Sequence, residues 1–356
     1  MCIRDSASAG IADHMHDAVL KGMIECKFML RELFGTKNTH TFGVAGTGWS
    51  GLDCMFSAVM PGDTVVAFSN GTFSGIDALT LRMKAATRDE LAQDSLNPKA
   101  SSVTVIEVPH GQSVTGEMVD AALKEHKPKW AFMAHWETGS GRINDIQGFS
   151  NACMKHNAMG LIDAVSSLGV EDFAIDDFKG IAAWASCPQK GVMCLPLTYA
   201  PVSFTDQYID VLKANGSYTY CHHPIMEARH WGIVDGQDVE KGGYHRTHSG
   251  YAVAAFHEAL RITLEYGLDY SETSSQNMYY TVEGPNINYI LQLDNGVKAH
   301  NWEVDLGVML EISPDMTTNL GCRWQGRSDY SSDFASISND DLSQSEICFL
   351  ELMLSL

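Results

Sequence analysis

Short apolar runs alternate with helical stretches between Thr41 and Leu195, and this alternation is the strongest constraint on the fold. The apolar runs are THTFGVA, DTVVAF, SVTVIEV, KWAFMAH, GLID, AAWAS and GVMCL. The segments between them have helical spacing and include GLDCMFSAV, DALTLRM, EMVDAALKEH and FSNACMKH. Strands separated by helices of this length predict an α/β fold, with a mostly parallel sheet covered by helices on both faces. Because such sheets bind ligands at the carboxyl ends of their strands, the residues that follow each run are the candidates for function.

Two further helices flank this region. Between Asp13 and Leu33, Met15, Val19, Met23 and Phe28 or Met29 recur at helical spacing and predict an amphipathic packing helix. Near the other end, YAVAAFHEALRITLEYGL predicts a helix that leads into a second domain. We therefore expect a large domain at residues 1–250 and a smaller C-terminal α+β domain at 251–356, whose tail from about Thr317 shows little apolar periodicity.

Composition narrows the possible partners. The chain has 44 acidic and 24 basic residues, a net charge of -20, which disfavours nucleic acid and anionic membranes and favours a small-molecule substrate. Its nine cysteines are scattered without a CxxC pair, so neither a zinc site nor a redox pair is indicated. Without an apolar stretch long enough for a bilayer and without a signal-peptide pattern at MCIRDSASAG, an intracellular, cytoplasmic location is expected.

A glycine-rich turn, GTGWSG, follows the first apolar run and opens a helix. Its GxGxxG pattern raises the possibility of a dinucleotide site, which also needs a carboxylate at the end of the next strand. That strand, DTVVAF, is followed instead by Ser69, Asn70 and Gly71. A phosphate site at the helix N-terminus is still supported by the pattern, and a glycine turn that serves packing alone is an equally good interpretation.

Asp163 and Lys190 follow two other strands. Singly, an Asp at a strand end often caps the next turn, and most lysines are solvated surface charges. Together they fit pyridoxal phosphate, which needs a lysine amine for a Schiff base and an acid beside its pyridine nitrogen. A third strand end carries His135 and Glu137 before small glycines, as a ligand-binding loop would, although either residue could instead be satisfied structurally by backbone groups.

These motifs resemble a known family. AHWETGSG, LIDAVSSLG and SCPQKG are similar, in the same order, to the H-x-E-T-S-T-G, V-D-A-V-S-S-L-G and G-S-Q-K motifs of the class V aminotransferases of pyridoxal phosphate fold type I, especially the alanine-glyoxylate and serine-pyruvate group. The resemblance runs from about His14 to Leu268. It implies a homodimeric enzyme that moves an amino group from alanine or serine to glyoxylate or pyruvate by a ping-pong mechanism.

The same resemblance implies roles for single residues. Lys190 would form the Schiff base, Asp163 would pair with the pyridine nitrogen, and Arg323, in LGCRWQGR, would hold the substrate carboxylate. The other implied cofactor contacts are Phe73 and Val165 at the ring, Thr138 near the phenolic oxygen, Thr47, Gly48, Trp49 and Gln189 at the phosphate, and Tyr244 and Thr247 at the neighbouring subunit's phosphate.

Two departures from the family pattern keep other functions open. The upstream G-P-G-P segment of the family is not found, and the C-terminal motif around Arg323 matches only in part. The alternatives are another fold type I enzyme, such as a phosphonate aminotransferase or a cysteine desulfurase, and a catalytically impaired paralogue that binds pyridoxal phosphate. No cysteine is marked out as a desulfurase nucleophile: Cys187 lies beside the lysine motif and Cys322 in the C-terminal tail. A nicotinamide dehydrogenase is a more distant possibility.

Overall fold

The computed structural model describes residues 15–171, 173–192, 195 and 198–266, together with the backbone of five strands between 278 and 354. The chain divides into two compact units, Met1–Asp269 and Tyr270–Leu356. The expected domain boundary between residues 250 and 251 stays a prediction. Within the described residues, no helix is both long and apolar enough to cross a membrane.

Among the described residues, the first unit contains the helices and most of the strands. Its helices are α1 (Asp17–Leu33), α2 (Gly48–Met55), α3 (Thr72–Ala85), α4 (Arg88–Gln93), α5 (Gly116–His126), α6 (Ile146–His156), α7 (Asp206–Asn215), α8 (Pro224–His230) and α9 (Gly250–Tyr266). Its strands are β1 (His40–Gly46), β2 (Val65–Ser69), β3 (Val103–Glu107), β4 (Trp130–Ala134), β5 (Trp136–Glu137), β6 (Arg142–Ile143), β7 (Met159–Asp163), β8 (Ile181–Ala185), β9 (Thr198–Phe204), β10 (Ile233–Val234) and β11 (Gln237–Asp238).

A seven-stranded sheet in the order β1-β9-β8-β7-β4-β2-β3 forms the centre of this unit. Strands β3, β2, β4, β7 and β8 pair in parallel, whereas β9 runs antiparallel to both of its neighbours. The largely parallel sheet predicted from the sequence is therefore confirmed.

Helices cover both faces of the sheet, which explains why its strands are continuous apolar runs. Phe132 and Leu161 pack into one core with residues of α1, α2, α3, α7 and α9. Their neighbours Ala131 and Ile162 point the other way and pack with residues of α5 and α6. Because alternate side chains of a strand face opposite sides, a central strand covered on both sides must be apolar throughout.

The prediction that GVMCL forms the last strand of the alternating region is wrong. Gly191 and Val192 of GVMCL lie in a turn, while Met193 and Cys194 lie outside the described residues. The chain re-enters the sheet later, as β9, whose seven residues are all buried. Pro201 does not disrupt this strand, because its carbonyl still accepts a hydrogen bond of 2.8 Å from the Ser186 N–H. The sequence gives no period-two pattern here, since both faces are covered.

The N-terminal helix packs through the face predicted for it. Val19 and Met23 are buried, and Met29 packs partly against the core. Phe28, the alternative to Met29, is 49% exposed and lies on the outer side of the helix. Residues 13 and 14, where the predicted helix begins, lie outside the described residues.

The described part of the second unit is an antiparallel sheet in the order β12-β13-β14-β15-β16. Its strands are β12 (Met278–Glu283), β13 (Ile287–Leu293), β14 (Asn301–Ser313), β15 (Met316–Arg327) and β16 (Ser345–Leu354). Arg323 lies on β15, in register with Asp305 on β14 and Ile347 on β16. Its side chain lies outside the described residues, so its proposed contact with substrate stays a prediction.

Truncating Phe132 should test the importance of the central strands. Its ring is fully buried in β4 and packs edge-on against Phe56, with 5.4 Å between ring centroids. We expect Phe132→Ala to lower the free energy of unfolding by about 3–5 kcal/mol, since the truncation leaves a cavity in a close-packed core. Phe28→Ala, at a half-exposed phenylalanine, should cost less than about 1 kcal/mol. Urea unfolding followed by circular dichroism measures both, and equal losses would contradict this assignment of the core.

Candidate active site around Lys190

Lys190 lies in the turn after β8, where loops from three strands meet. Its amine, Nζ, donates hydrogen bonds of 2.8 Å to the Thr138 hydroxyl and of 2.8 Å to the Ser166 hydroxyl. These two oxygens are 2.5 Å apart and hydrogen-bond to each other. Ser166 follows β7, and Thr138 follows β5, a two-residue strand in the loop after β4. The loops after the parallel strands β4, β7 and β8 therefore meet at Lys190, as expected at the carboxyl edge of such a sheet.

An aromatic ring faces the lysine amine. Phe73, in the first turn of α3, has its ring centroid 5.6 Å from Lys190 Nζ. The Phe73 side chain is 39% exposed. An ammonium group at this distance is attracted to the face of the ring, and the exposed part of the ring is free to contact a ligand.

Asp163 ends β7 and is buried beside this cluster. One carboxylate oxygen, Oδ1, accepts a hydrogen bond of 2.7 Å from the Val165 N–H, so the local turn role that is common for such residues is present too. Burial raises the pKa of Asp163 to about 6, against the opposing effects of the Val165 N–H and the Lys190 charge. The side chain is therefore a buried acid that stays mostly ionised at neutral pH.

The glycine-rich turn packs directly against these loops. Gly46 has φ +130, which strongly favours glycine, and a Cβ at this position would overlap Ser50. A Cβ on Gly48 would lie 3.0 Å from Val165 Cγ2 and 3.1 Å from Cys187 Cβ. The glycines thus allow the start of α2 to approach the segments that carry Asp163 and Lys190.

Among the described residues, no side chain caps the N-terminus of α2. Thr47 is the N-cap residue but makes no side-chain capping hydrogen bond, and the first turn contains no acidic residue. Trp49, in that turn, is 41% exposed. Unpaired N–H groups and the positive end of the helix dipole favour an anion at this position. The phosphate interpretation of the turn agrees with this geometry.

Gln189 is exposed next to Lys190, whereas the remaining candidates lie elsewhere in the chain. Tyr244 is 56% exposed and Thr247 is also exposed, on the segment between β11 and α9. That segment is held against α8 by the His245 N–H, which donates 3.1 Å to His230 Nδ1. Their predicted contact with a neighbouring subunit is untested.

Glu137 has a structural role at the start of α3. Its carboxylate accepts hydrogen bonds from the Ser74 N–H at 2.7 Å, the Phe73 N–H at 3.3 Å and the Gly139 N–H at 2.7 Å. It therefore caps α3 and also closes the loop that carries Thr138. Of the two interpretations of Glu137 left open by the sequence, satisfaction by backbone groups is the one observed.

His135 is also a packing residue. The ring is 2% exposed and lies edge-on to Phe173, with 5.2 Å between ring centroids. Burial lowers the pKa of His135 to about 4, so the imidazole is neutral at physiological pH. Within the described residues there is no group of side chains suited to a metal ion.

Two residues of the site were missed in the sequence. Ser166 lies within the LIDAVSSLG motif but was given no role there. Asp77 was overlooked within DALTLRM, although Ser74, Ala78 and Leu81 form a buried helical stripe that includes this position. A charged residue on a buried helical face is the signal that could have identified it.

Known proteins with similar sequences are glyoxylate aminotransferases. Alanine–glyoxylate aminotransferase of Oryctolagus cuniculus is 27% identical over 259 residues, covering 72% of this chain and 61% of that protein. (S)-Ureidoglycine–glyoxylate transaminase of Bacillus subtilis is 27% identical over 261 residues, covering 69% and 59%. This chain thus spans about three fifths of the length of these relatives. No protein-family model matches the chain.

Solved structures of the same kind share the fold. Alanine–glyoxylate aminotransferase from Nostoc sp. superposes with a TM-score of 0.65 at 22% identity, covering 83% of this chain and 78% of that one. Ureidoglycine–glyoxylate aminotransferase from Bacillus subtilis gives a TM-score of 0.64 at 22% identity, covering 81% and 74%. The fold is that of the fold type I aminotransferases, and the resemblance to class V members is confirmed by these relatives.

Removing the Glu137 cap should destabilise the chain. We expect Glu137→Ala to lower the free energy of unfolding by about 2 kcal/mol, because three backbone N–H groups lose a charged acceptor. Glu90→Ala is the matched control: Glu90 accepts from the Thr87 and Ser101 N–H groups at the exposed start of α4, and its loss should be clearly smaller. Urea unfolding of both variants measures the difference, and a smaller loss for Glu137→Ala would exclude the capping role.

Proposed function

We propose that this chain is a pyridoxal phosphate-dependent aminotransferase that moves an amino group from a small amino acid to a 2-oxo acid. The observation that carries the proposal is the convergence at Lys190. Its amine is held by two hydroxyl groups and faces an aromatic ring, with the buried acid Asp163 at the end of the neighbouring strand.

The residues present fit the cofactor. The start of α2, which lacks a side-chain cap and is lined by glycine, suits a phosphate. The amine of Lys190 suits the aldehyde of the cofactor, and the carboxylate of Asp163 suits its pyridine nitrogen. Lys190 would attach the cofactor covalently, and Asp163 would pair with the ring nitrogen. The other residues proposed to hold it are Phe73 and Val165 at the ring faces, Thr138 at the phenolic oxygen, and Thr47, Gly48, Trp49 and Gln189 at the phosphate.

When bound, the cofactor supplies an electron sink for cleavage of a bond to the substrate α carbon. The protein's own part of the reaction is proton transfer and alignment. Lys190 Nζ would remove the α proton of the substrate as general base and then donate that proton as general acid. The hydroxyls of Thr138 and Ser166 limit where Nζ can lie, because both are within hydrogen-bonding distance of it.

Substrates and assembly are further parts of the proposal. The names of the relatives share glyoxylate and differ in the amino donor, which supports glyoxylate as acceptor and includes alanine among the donors. Pyruvate as acceptor and serine as donor rest on the motif resemblance alone. Arg323 is the proposed clamp for the substrate carboxylate. The proposal also includes a cytoplasmic homodimer, in which Tyr244 and Thr247 contact the phosphate bound to the neighbouring subunit.

A cysteine desulfurase is disfavoured by the state of Cys187. That thiol is buried, and burial raises its pKa to about 11 against the lowering effect of Lys190. A desulfurase needs a reactive thiolate on an accessible loop. The other named candidate, Cys322, has a side chain outside the described residues.

Replacing Lys190 tests the cofactor assignment. Wild-type protein incubated with pyridoxal phosphate and then dialysed should keep a visible absorbance, whereas Lys190→Ala should lose it and lose about 10³-fold or more in turnover. Lys179→Ala is the control, at an exposed lysine just before the other end of β8. A colourless wild-type protein, or a Lys190→Ala protein that behaves like Lys179→Ala, would contradict the assignment.

A half-reaction tests whether the enzyme transfers amino groups. Alanine or serine added to the loaded protein should bleach the visible band within a single turnover, and glyoxylate or pyruvate should restore it, as ping-pong transfer requires. Absorbance against a panel of amino acids identifies the donor. A loaded protein that no amino acid bleaches would instead be the catalytically impaired paralogue.

A further inference from the structure

Three carboxyl side chains lie buried together behind the candidate site. Asp77, on α3, is 0% exposed, Glu137, on β5, is 1% exposed, and Asp163, at the end of β7, is 5% exposed. Ionised carboxylates in a low-dielectric interior need cations or N–H donors. The partners of each carboxyl group therefore indicate which of the three carries a charge.

Two of the three have such partners and the third does not. Glu137 accepts hydrogen bonds from three backbone N–H groups. Asp163 accepts one from the Val165 N–H and interacts with the Lys190 charge. In the described part of the chain, no donor with a fixed proton reaches either carboxyl oxygen of Asp77. The groups that act most strongly on Asp77 are other carboxyl groups, Asp163 first and Glu137 second, and the charges of both raise its pKa.

Neighbouring buried carboxyl groups with no cation between them share a proton, because ionising both in a low-dielectric interior is costly. The proton belongs on the group that has no other stabilisation for a charge, which is Asp77. We propose that Asp77 is a positioning residue that stays protonated at neutral pH and donates a hydrogen bond to the Asp163 carboxylate. The role of that contact in catalysis rests on the proposed function, in which Asp163 pairs with the cofactor's ring nitrogen.

The electrostatic surroundings agree with this assignment. Burial raises the pKa of Asp77 well above its usual value, and the charges of Asp163 and Glu137 raise it further. The hydrogen bond from Asp77 acts on Asp163 in the opposite direction and lowers its pKa. A protonated Asp77 thus keeps its neighbour ionised and restricts its orientation, while the pair carries a single negative charge.

The contact gives Asp163 two fixed partners before any ligand binds. The Val165 N–H holds it from the backbone and Asp77 holds it from α3, so the carboxylate is oriented in advance. Without the donor at position 77, Asp163 would take up a proton at a higher pH. A neutral Asp163 could not stabilise a protonated ring nitrogen.

The first experiment uses cofactor-free protein and follows urea unfolding between pH 5 and 8. The folded state of the wild type holds a proton on Asp77 that the unfolded chain releases above about pH 4, so stability falls as pH rises up to the folded pKa of Asp77. Asp77→Asn keeps a donor but has no proton to release. The wild-type unfolding constant should therefore rise with pH more steeply than that of the variant, by up to about tenfold per pH unit.

Asp63→Asn is the control for this slope. The Asp63 carboxylate accepts hydrogen bonds from Lys129, from the Trp130 indole and from the Met60 N–H, at the other end of the sheet. Its variant should lose stability and keep the wild-type slope. Parallel slopes for wild type and Asp77→Asn would show that Asp77 is ionised in the folded protein and would overturn the proposal.

The second experiment measures pyridoxal phosphate affinity by absorbance titration at pH 6 and pH 8. Asp77→Asn should stay within about threefold of wild type, whereas Asp77→Ala should bind about tenfold more weakly at pH 6 and differ less at pH 8, because Asp163 ionises again. Equal losses of affinity in both variants, independent of pH, would show that Asp77 serves packing alone and would overturn the proposal. If wild type binds no cofactor, the proposed function fails, and the unfolding slopes still decide the protonation of Asp77.

Discussion

The parallel pairing of β7 with β8 is the constraint on which the rest of the site depends. Asp163 and Ala185, the last residues of the two strands, are in register, and the contact continues beyond the sheet. The Ala164 N–H donates 2.7 Å to the Ala185 carbonyl, and the Ser186 hydroxyl donates 2.9 Å to the Ala164 carbonyl. These bonds keep two loops side by side after their strands have ended, so Asp163 and Lys190 become neighbours although 26 residues separate them in the sequence.

A single carboxylate, that of Glu137, positions the residues on the other side of the site. Glu137 joins the first turn of α3, which carries Phe73, to the loop that carries Thr138. The aromatic ring and the hydroxyl that flank the lysine amine are therefore positioned by the same side chain. Glu137 caps a helix, and in the proposed complex the other two buried carboxyl groups have different tasks, Asp163 at the ligand and Asp77 as the support of Asp163. Their environments, and not their residue types, separate these tasks.

The sequence predicted the sheet well, and it indicated the strand ends at which the candidate residues lie, because both follow from local pattern. Buried strands leave apolar runs, and the strand-end rule then directs attention to Asp163, Lys190 and the glycine turn. Strand β9 was missed because its sequence, TYAPVSF, is neither a continuous apolar run nor an alternating pattern. Asp77 was missed for a different reason: its significance lies in the absence of donors around it, which depends on residues distant in sequence. Ser166 similarly acquires a role only when the β8 turn brings Lys190 to it.

The close packing at Gly48 fixes the position of the start of α2 relative to the loops that carry Asp163 and Lys190. Because the start of α2 touches Val165 and Cys187 with backbone and small side chains, little can adjust between the uncapped helix end and the lysine. The distance between an anion on that helix and the backbone of Lys190 is then set by main-chain packing, and only the lysine side chain can adjust. In the proposed complex, one end of the ligand is therefore held at a fixed place, and the other is reached by a flexible side chain.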